Sequence, residues 1–390
     1  MVDIVREVYK MNKKRILILT CSHGTGHKMV ASTLSEALIK RGCETYIHDL
    51  FDEVNAPLNR LFGKAYLLSY GIGRGAYEKL YDRIDDKPNT KGISFFWDLT
   101  KKKMLELVNT IEPDAIINTY GYVISSMLKE SHYPHIPVVS VVTDFCVPSP
   151  WAHPATDRYY VACDNVTDRL KELGVLDNRI LETGIPIRDI FEETIDRNDV
   201  AQKYGLDPDK KTLLIFAGTY GVLKNLPQIC KNIDEQTDLQ TIVICGKNKK
   251  LYDKLNRESF NNTRILGYVS EINELYRFCH LMITKPGGIS LSEAATTAVP
   301  VILYRPTPGQ EMENAKWFEK KNAAVIVNNE DQLMLAVKAL NNNDIQKQRM
   351  KNNMSRIGHH HAASVIADDL LQLMNGQYHQ NDTEQKIAEL

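Results

Sequence analysis

Met282-Ile283-Thr284-Lys285-Pro286-Gly287-Gly288-Ile289-Ser290-Leu291-Ser292-Glu293 is a short apolar run that meets two glycines and continues as an amphipathic helix with a carboxylate in its second turn. Glycines between a strand and a helix let backbone N–H groups approach an anion closely, and the positive end of the helix dipole favours its charge. A carboxylate one turn on is placed to accept both hydroxyls of a ribose. The pattern therefore predicts a nucleotide diphosphate socket, although Gly-Gly also serves as a plain tight turn. A second junction of the same kind is Leu214-Ile215-Phe216-Ala217-Gly218-Thr219-Tyr220-Gly221, where the Gly218 backbone and the Thr219 hydroxyl would supply further donors. Alone it reads equally well as a turn. Together the two make a converging pair, and a diphosphate needs about two such groups of donors.

Outward from these junctions, short β-rich runs alternate with helical patterns, which predicts parallel sheets covered by helices. The front half offers strands at Arg15–Thr20, Glu44–His48, Ala115–Asn118, Val138–Val142 and Arg158–Val161. The rear half starts again at Thr212–Phe216 and continues with Thr241–Cys245, Thr263–Leu266, Leu281–Ile283, Val301–Leu303 and Ala324–Val327. Two such sets predict an α/β protein of two doubly wound domains with the ligand cleft between them. We expect residues 1–190 as the first domain, 191–375 as the second with its last helix packing back on the first, and 376–390 as a flexible tail. At 390 residues the chain is long enough for both.

Composition narrows the partners. Lysines and arginines number 48 against 49 acidic residues, so no overall charge draws the chain to nucleic acid and any anionic surface must be met by a local patch. The seven cysteines lack CxxC spacing and several lie in apolar runs, which predicts reduced, buried thiols. Met1 to Lys14 is too charged, and Ile16 to Leu19 too short, for a signal peptide, and no run is long enough to span a bilayer. No acidic pair follows a strand near the nucleotide socket, so no metal is expected there. The His359-His360-His361 run reads as a solvated helix start.

The first strand runs into Cys21-Ser22-His23-Gly24-Thr25-Gly26-His27, with a helix expected from near Lys28. A dinucleotide loop is one reading, but the third glycine of that fingerprint is missing and Asp49 is the nearest acid for a ribose. The histidines carry more information. At the start of a helix His27 would be kept neutral near pH 7 and able to accept a proton. Between Leu58 and Leu107, aromatic residues including Phe62, Tyr66, Tyr70, Phe96 and Trp97 are interleaved with basic ones such as Lys101-Lys102-Lys103. Such helices lie in a lipid headgroup layer or bury their aromatic side as core.

These elements, in this order, resemble the glycosyltransferase family that contains the monogalactosyl- and monoglucosyl-diacylglycerol synthases (family 28). The resemblance covers roughly Lys13 to Leu373 and rests on Gly24-Thr25-Gly26-His27, Val142-Thr143-Asp144-Phe145 with Trp151 and His153, Thr183-Gly184-Ile185-Pro186-Ile187-Arg188, and the run from Thr284 to Pro308-Gly309-Gln310-Glu311-Met312-Glu313-Asn314. It is strongest to the bacterial processive diacylglycerol glucosyltransferases that make the lipoteichoic acid anchor. It implies a GT-B fold of two facing Rossmann-like domains and an inverting, metal-independent transfer of a hexose, glucose above all, from a UDP-sugar to diacylglycerol. UDP-sugar is then a substrate, and no cofactor is implied. The resemblance places Gly218, Thr219, Gly287 and Gly288 at the diphosphate, Arg188 at the leaving charge and Glu293 at the ribose. Gln310 and Glu311 would contact the sugar after the Pro308-Gly309 turn, which Asn314 supports. His27 matches the family's loop histidine beside Gly26, and Asp144 matches an acidic position near the acceptor; either His27 is the base, with Asp144 orienting it, or Asp144 is the base itself. The site would work peripherally on the cytoplasmic face of an anionic membrane. Transfer of N-acetylglucosamine to a polyprenyl-linked precursor, epimerisation of a UDP-sugar and non-catalytic sensing of one are the other readings.

Overall fold

The computed structural model describes residues 13–22, 26–54, 94–121, 124–217 and 225–376. They form two compact units: the first runs to Ile187 and resumes at His361, and the second is Arg188–His360. The first division falls ahead of the expected 190/191 seam, because the Arg188 guanidinium donates to the Ser270 carbonyl and lies over the Phe191 ring, both within the second unit.

The first unit is built on β1 (Arg15–Thr20), β2 (Glu44–Asp49), β3 (Ala115–Asn118), β4 (Val138–Val141), β5 (Arg158–Val161) and β6 (Ile180–Glu182). All neighbours are parallel, in the order β2-β1-β3-β4-β5-β6. Ile16 to Leu19 are fully buried, as expected of a parallel strand covered on both faces. Helices α1 (Gly26–Lys40) and α2 (Ser94–Ile111) belong to this unit. From Thr100 onward α2 turns its apolar side into the core, burying Met104, Leu107, Val108 and Ile111 with Leu17 and Ile116. The apolar side of that stretch is core, and Lys102 lies on its exposed side.

The second unit carries β7 (Thr212–Phe216), β8 (Gln240–Ile244), β9 (Thr263–Leu266), β10 (Leu281–Thr284), β11 (Val301–Tyr304) and β12 (Ala324–Val327), all parallel in the order β12-β11-β10-β7-β8-β9. Its helices here are α3 (Ile272–Phe278), α4 (Gly288–Thr296), α5 (Gln310–Lys320) and α6 (Asp344–Ile357). Helix α7 (Ala362–Met374) closes the described chain on the first unit: Arg41 grips Asp368 at 2.6 and 2.7 Å, while Asp369 accepts the Tyr160 hydroxyl at 2.8 Å and lies 3.1 Å from Arg158.

Each sheet has one place where the order of the strands reverses. It lies between β1 and β3 in the first unit and between β10 and β7 in the second. Loops leaving the carboxyl ends of such a strand pair diverge to opposite faces and open a crevice. His27 follows β1 and Gly287 follows β10, one at each of those two points.

Candidate active site

His27 is the second residue of α1, directly beyond β1. Its Nδ1 lies 2.8 Å from the Thr119 carbonyl, at the end of β3, and 3.0 Å from the Thr143 hydroxyl, just past β4. A carbonyl only accepts, so this bond requires the proton on Nδ1 and leaves the lone pair of the neutral ring on Nε2. Tyr120 meets the imidazole edge-on at 4.9 Å and is met in turn by Phe51 at 6.2 Å. The ring is thus fixed in position and in tautomer by groups from three strand ends. That is the preparation a general base needs. Asp144 follows Thr143 and is half-buried. Thr119, Tyr120 and Thr143 received no role from the sequence, because nothing local marks them; their place beside the switch point does.

Asp49 takes another part than that of a ribose acid. Its carboxylate accepts from the Ser22 hydroxyl and sits 3.6 Å from Lys28, while Ser22 also lies 2.7 Å from Asp52. His153 is a turn residue whose Nδ1 accepts the Ala155 N–H at 3.1 Å.

In the second unit β10 leads through Lys285 and Pro286 to Gly287, the N-cap of α4, which has no side-chain cap. Gly287 has φ −76° and ψ 141°, a conformation open to any residue, and a Cβ placed there would meet no atom within 4 Å. Neither backbone geometry nor packing calls for glycine. What the residue preserves is open space in front of uncapped N–H groups at a helix start, the setting for an anion. Across the switch point β7 ends at Phe216 and Ala217; Gly218 and Thr219 lie outside the described residues.

Glu293, one turn into α4, is 6% exposed, and its Oε2 accepts the Tyr276 hydroxyl at 2.9 Å. Burial pushes its carboxyl up to about 7, against the smaller opposing pulls of that hydrogen bond and of Arg188. Arg188 donates to Ser270 at 3.1 Å, and its buried Nε has no hydrogen-bond partner among the described residues.

Pro308 and Gly309 form the turn into α5, with Gly309 at φ 86° and ψ −143°, a conformation that only glycine adopts without strain. Gln310 is the first residue of the helix. Glu311 Oε2 accepts the Thr307 N–H at 2.8 Å and its hydroxyl at 2.7 Å, and lies 3.6 Å from Lys285 Nζ. Lys285, also missed in the sequence, donates to the Arg305 carbonyl. The fully buried Asn314 donates to the Pro286 carbonyl at 3.0 Å and so braces the loop before Gly287 from α5. The residues expected at the donor are therefore linked across two neighbouring strand ends.

Phe62, Tyr66 and Tyr70, and the side chains of Phe96 and Trp97 in the first turn of α2, lie outside the described residues. Among those described, no helix is long and apolar enough to cross a membrane, and no group of three or more His, Cys, Asp or Glu residues is arranged to hold a metal ion.

Residues 27–187 match the family model of monogalactosyldiacylglycerol (MGDG) synthase, and residues 196–356 match that of the glycosyl transferases group 1. The processive diacylglycerol beta-glucosyltransferase of Bacillus subtilis is 39% identical over 362 residues, covering 92% of this chain and 95% of its own. The enzyme of the same name from Bacillus cytotoxicus is 40% identical over 367 residues, covering 93% and 95%. The chain belongs to this family. Solved structures of other proteins share the fold of this diacylglycerol glucosyltransferase family at much lower identity. MurG of Acinetobacter baumannii has a TM-score of 0.61 at 16% identity, covering 92% of this chain and 99% of its own. The co-structure of S. aureus MnaA with UDP has a TM-score of 0.64 at 15% identity, covering 93% and 97%. The fold is accordingly GT-B, two doubly wound units in one chain.

Proposed function

We propose that the protein is an inverting hexosyltransferase that moves glucose from UDP-glucose to the hydroxyl of diacylglycerol at a membrane surface. The observation that carries this reading is the 39% identity to a processive diacylglycerol beta-glucosyltransferase, over 362 residues and therefore through both units. The donor's glucose is α-linked and the relatives' name specifies a β product, so one in-line displacement accounts for the stereochemistry. His27 takes the proton of the acceptor hydroxyl on Nε2, and the new imidazolium keeps its Nδ1–H on Thr119. The bond from the anomeric carbon to the diphosphate breaks as the acceptor oxygen bonds that carbon from the opposite face. The leaving charge is met by the first N–H groups of α4 and by Arg188. Glu293 receives the ribose hydroxyls, while Gln310 and Glu311 orient the sugar. The acceptor is lipid-bound, so the enzyme works peripherally, on the face of the membrane where UDP-sugars are made.

Purified protein incubated with radiolabelled UDP-glucose and diacylglycerol vesicles tests this. Label extracted into organic solvent as a β-glucolipid is the expected result. Water-soluble label on an altered sugar would identify an epimerase, and UDP-glucose binding without any product would leave a sensor.

A further inference from the structure

Tyr276 is fully buried, and its hydroxyl reaches Glu293 Oε2 at 2.9 Å. A buried tyrosine hydroxyl needs an acceptor, but an amide or a carbonyl would satisfy it at far smaller cost than a carboxylate shielded from water. Burial raises the Glu293 carboxyl to about 7. A buried carboxyl whose charged form is disfavoured, beside a hydrogen-bonding tyrosine and an arginine, marks a candidate ligand site. Glu293 Oε1 takes no hydrogen bond from the described residues, so one oxygen is committed to Tyr276 and the other is left for a ligand.

The phenol ring has little freedom. Phe191 meets it edge-on at 5.2 Å and Phe216 packs at 5.3 Å, tilted by 50°. Phe191 also lies under the Arg188 guanidinium, at 5.4 Å, and Phe216 is the last residue of β7. The tyrosine therefore sits where the supports of three proposed donor-site elements meet: Arg188, the loop after β7, and α4.

We infer that Tyr276 is a positioning residue for the nucleotide, its hydroxyl fixing the Glu293 carboxylate so that the remaining oxygen receives the ribose hydroxyls. This rests on the reading of Glu293 as the ribose ligand. Among the described residues, the charged and titratable groups acting on Glu293 are Tyr276 from α3 and Arg188. Helix α6 meets α4 at Gly358, against Ala295 and Thr296. Removing the Tyr276 hydroxyl takes away a donor that stabilises the anion, so the carboxyl rises further and less of it is ionised at neutral pH. A ribose hydroxyl donates more strongly to a carboxylate than to a neutral acid.

The test measures dissociation constants of UDP and of its 2′,3′-dideoxy analogue by calorimetry, for the parent, Tyr276→Phe and Glu293→Gln, between about pH 6 and about pH 9. The ratio of the two constants cancels titration of the phosphates. Tyr276→Phe is expected to weaken UDP roughly tenfold near neutral pH and the dideoxy analogue less than about twofold, with the inflection of the ratio moved to higher pH. Equal weakening of both ligands means a structural role only and overturns the proposal. So does no weakening of either while Glu293→Gln weakens UDP. If Glu293→Gln leaves UDP binding unaltered, the ribose reading itself is wrong. Should Tyr276→Phe not fold, 3-fluorotyrosine placed at position 276, a stronger donor in the same shape, decides: tighter UDP binding with the dideoxy analogue little changed supports the proposal, and no change or an equal change in both ligands overturns it.

Discussion

Strand β1 runs into α1 and strand β10 into α4 through glycine-bearing loops at the switch point of a parallel sheet, yet the two junctions present opposite things. Beyond β1 stands an imidazole whose Nδ1 is held by a carbonyl and a hydroxyl. Beyond β10 the chain presents bare backbone, with open space where a side chain would begin. In the proposed reaction the first junction does proton chemistry and requires one particular side chain. The second, in the same proposal, does electrostatics and requires that there be none. The same local architecture serves both because a strand end at a switch point fixes the backbone and leaves the side chain open to choice.

The comparison breaks first at His27. His27→Ala is expected to lower kcat at least ~100-fold while the UDP dissociation constant stays within about twofold, since a general base acts in the transition state and not on the bound donor. Steady-state kinetics beside calorimetry decide it, and an unchanged kcat removes the side-chain role of the first junction.

Glu293 sharpens the second junction through pH. With its folded-state carboxyl raised to about 7 from the ordinary 4.5, the folded protein holds this proton more tightly than the unfolded chain does. Its contribution is favourable at acid pH and is lost as pH rises between those two values. Glu293→Gln is expected to match the parent's unfolding free energy near pH 5 and to exceed it by on the order of 1 to 3 kcal/mol near pH 8, while binding UDP less well. Denaturant titrations at the two pH values measure this; a difference that does not change with pH would show that Glu293 is not buried as an anion.

The smallest expected effects separate two glycines of the second unit. Gly287→Ala occupies an ordinary conformation and empty space, so it is expected to stabilise the free protein by about 0.4 to 1 kcal/mol and to weaken UDP roughly tenfold. Gly309→Ala, at φ 86°, is expected to destabilise by about 1 to 3 kcal/mol. Thermal unfolding with and without UDP reads both. If Gly287→Ala left UDP binding intact, the open space at the helix start would have no anion to admit.

Much of this was legible in the residues. The strands that bury both faces announce themselves as apolar runs, and β6 escaped notice because Ile180–Glu182 is a three-residue, partly exposed edge strand. Gly287, Gly288 and Glu293 could be singled out as candidates because strand, glycine, helix and carboxylate follow one another within twelve residues. Tyr276 and Lys285 could not. Their partners, Glu293 and Glu311, lie 17 and 26 positions away, a spacing with no periodic meaning.

The order of residues by itself determined the alternation of strands and helices, the two doubly wound units and the choice of histidine and glycine at the two loops, because each of these is written in a short window where side-chain type acts directly on backbone geometry. Only the tertiary structure decided which nitrogen of His27 carries its proton, which oxygen of Glu293 is committed and which cation steadies Glu311. Those properties depend on groups brought within hydrogen-bond reach by sheet order, as with Thr119, 92 residues from His27. A bond of 3 Å between distant residues leaves no trace in either neighbourhood.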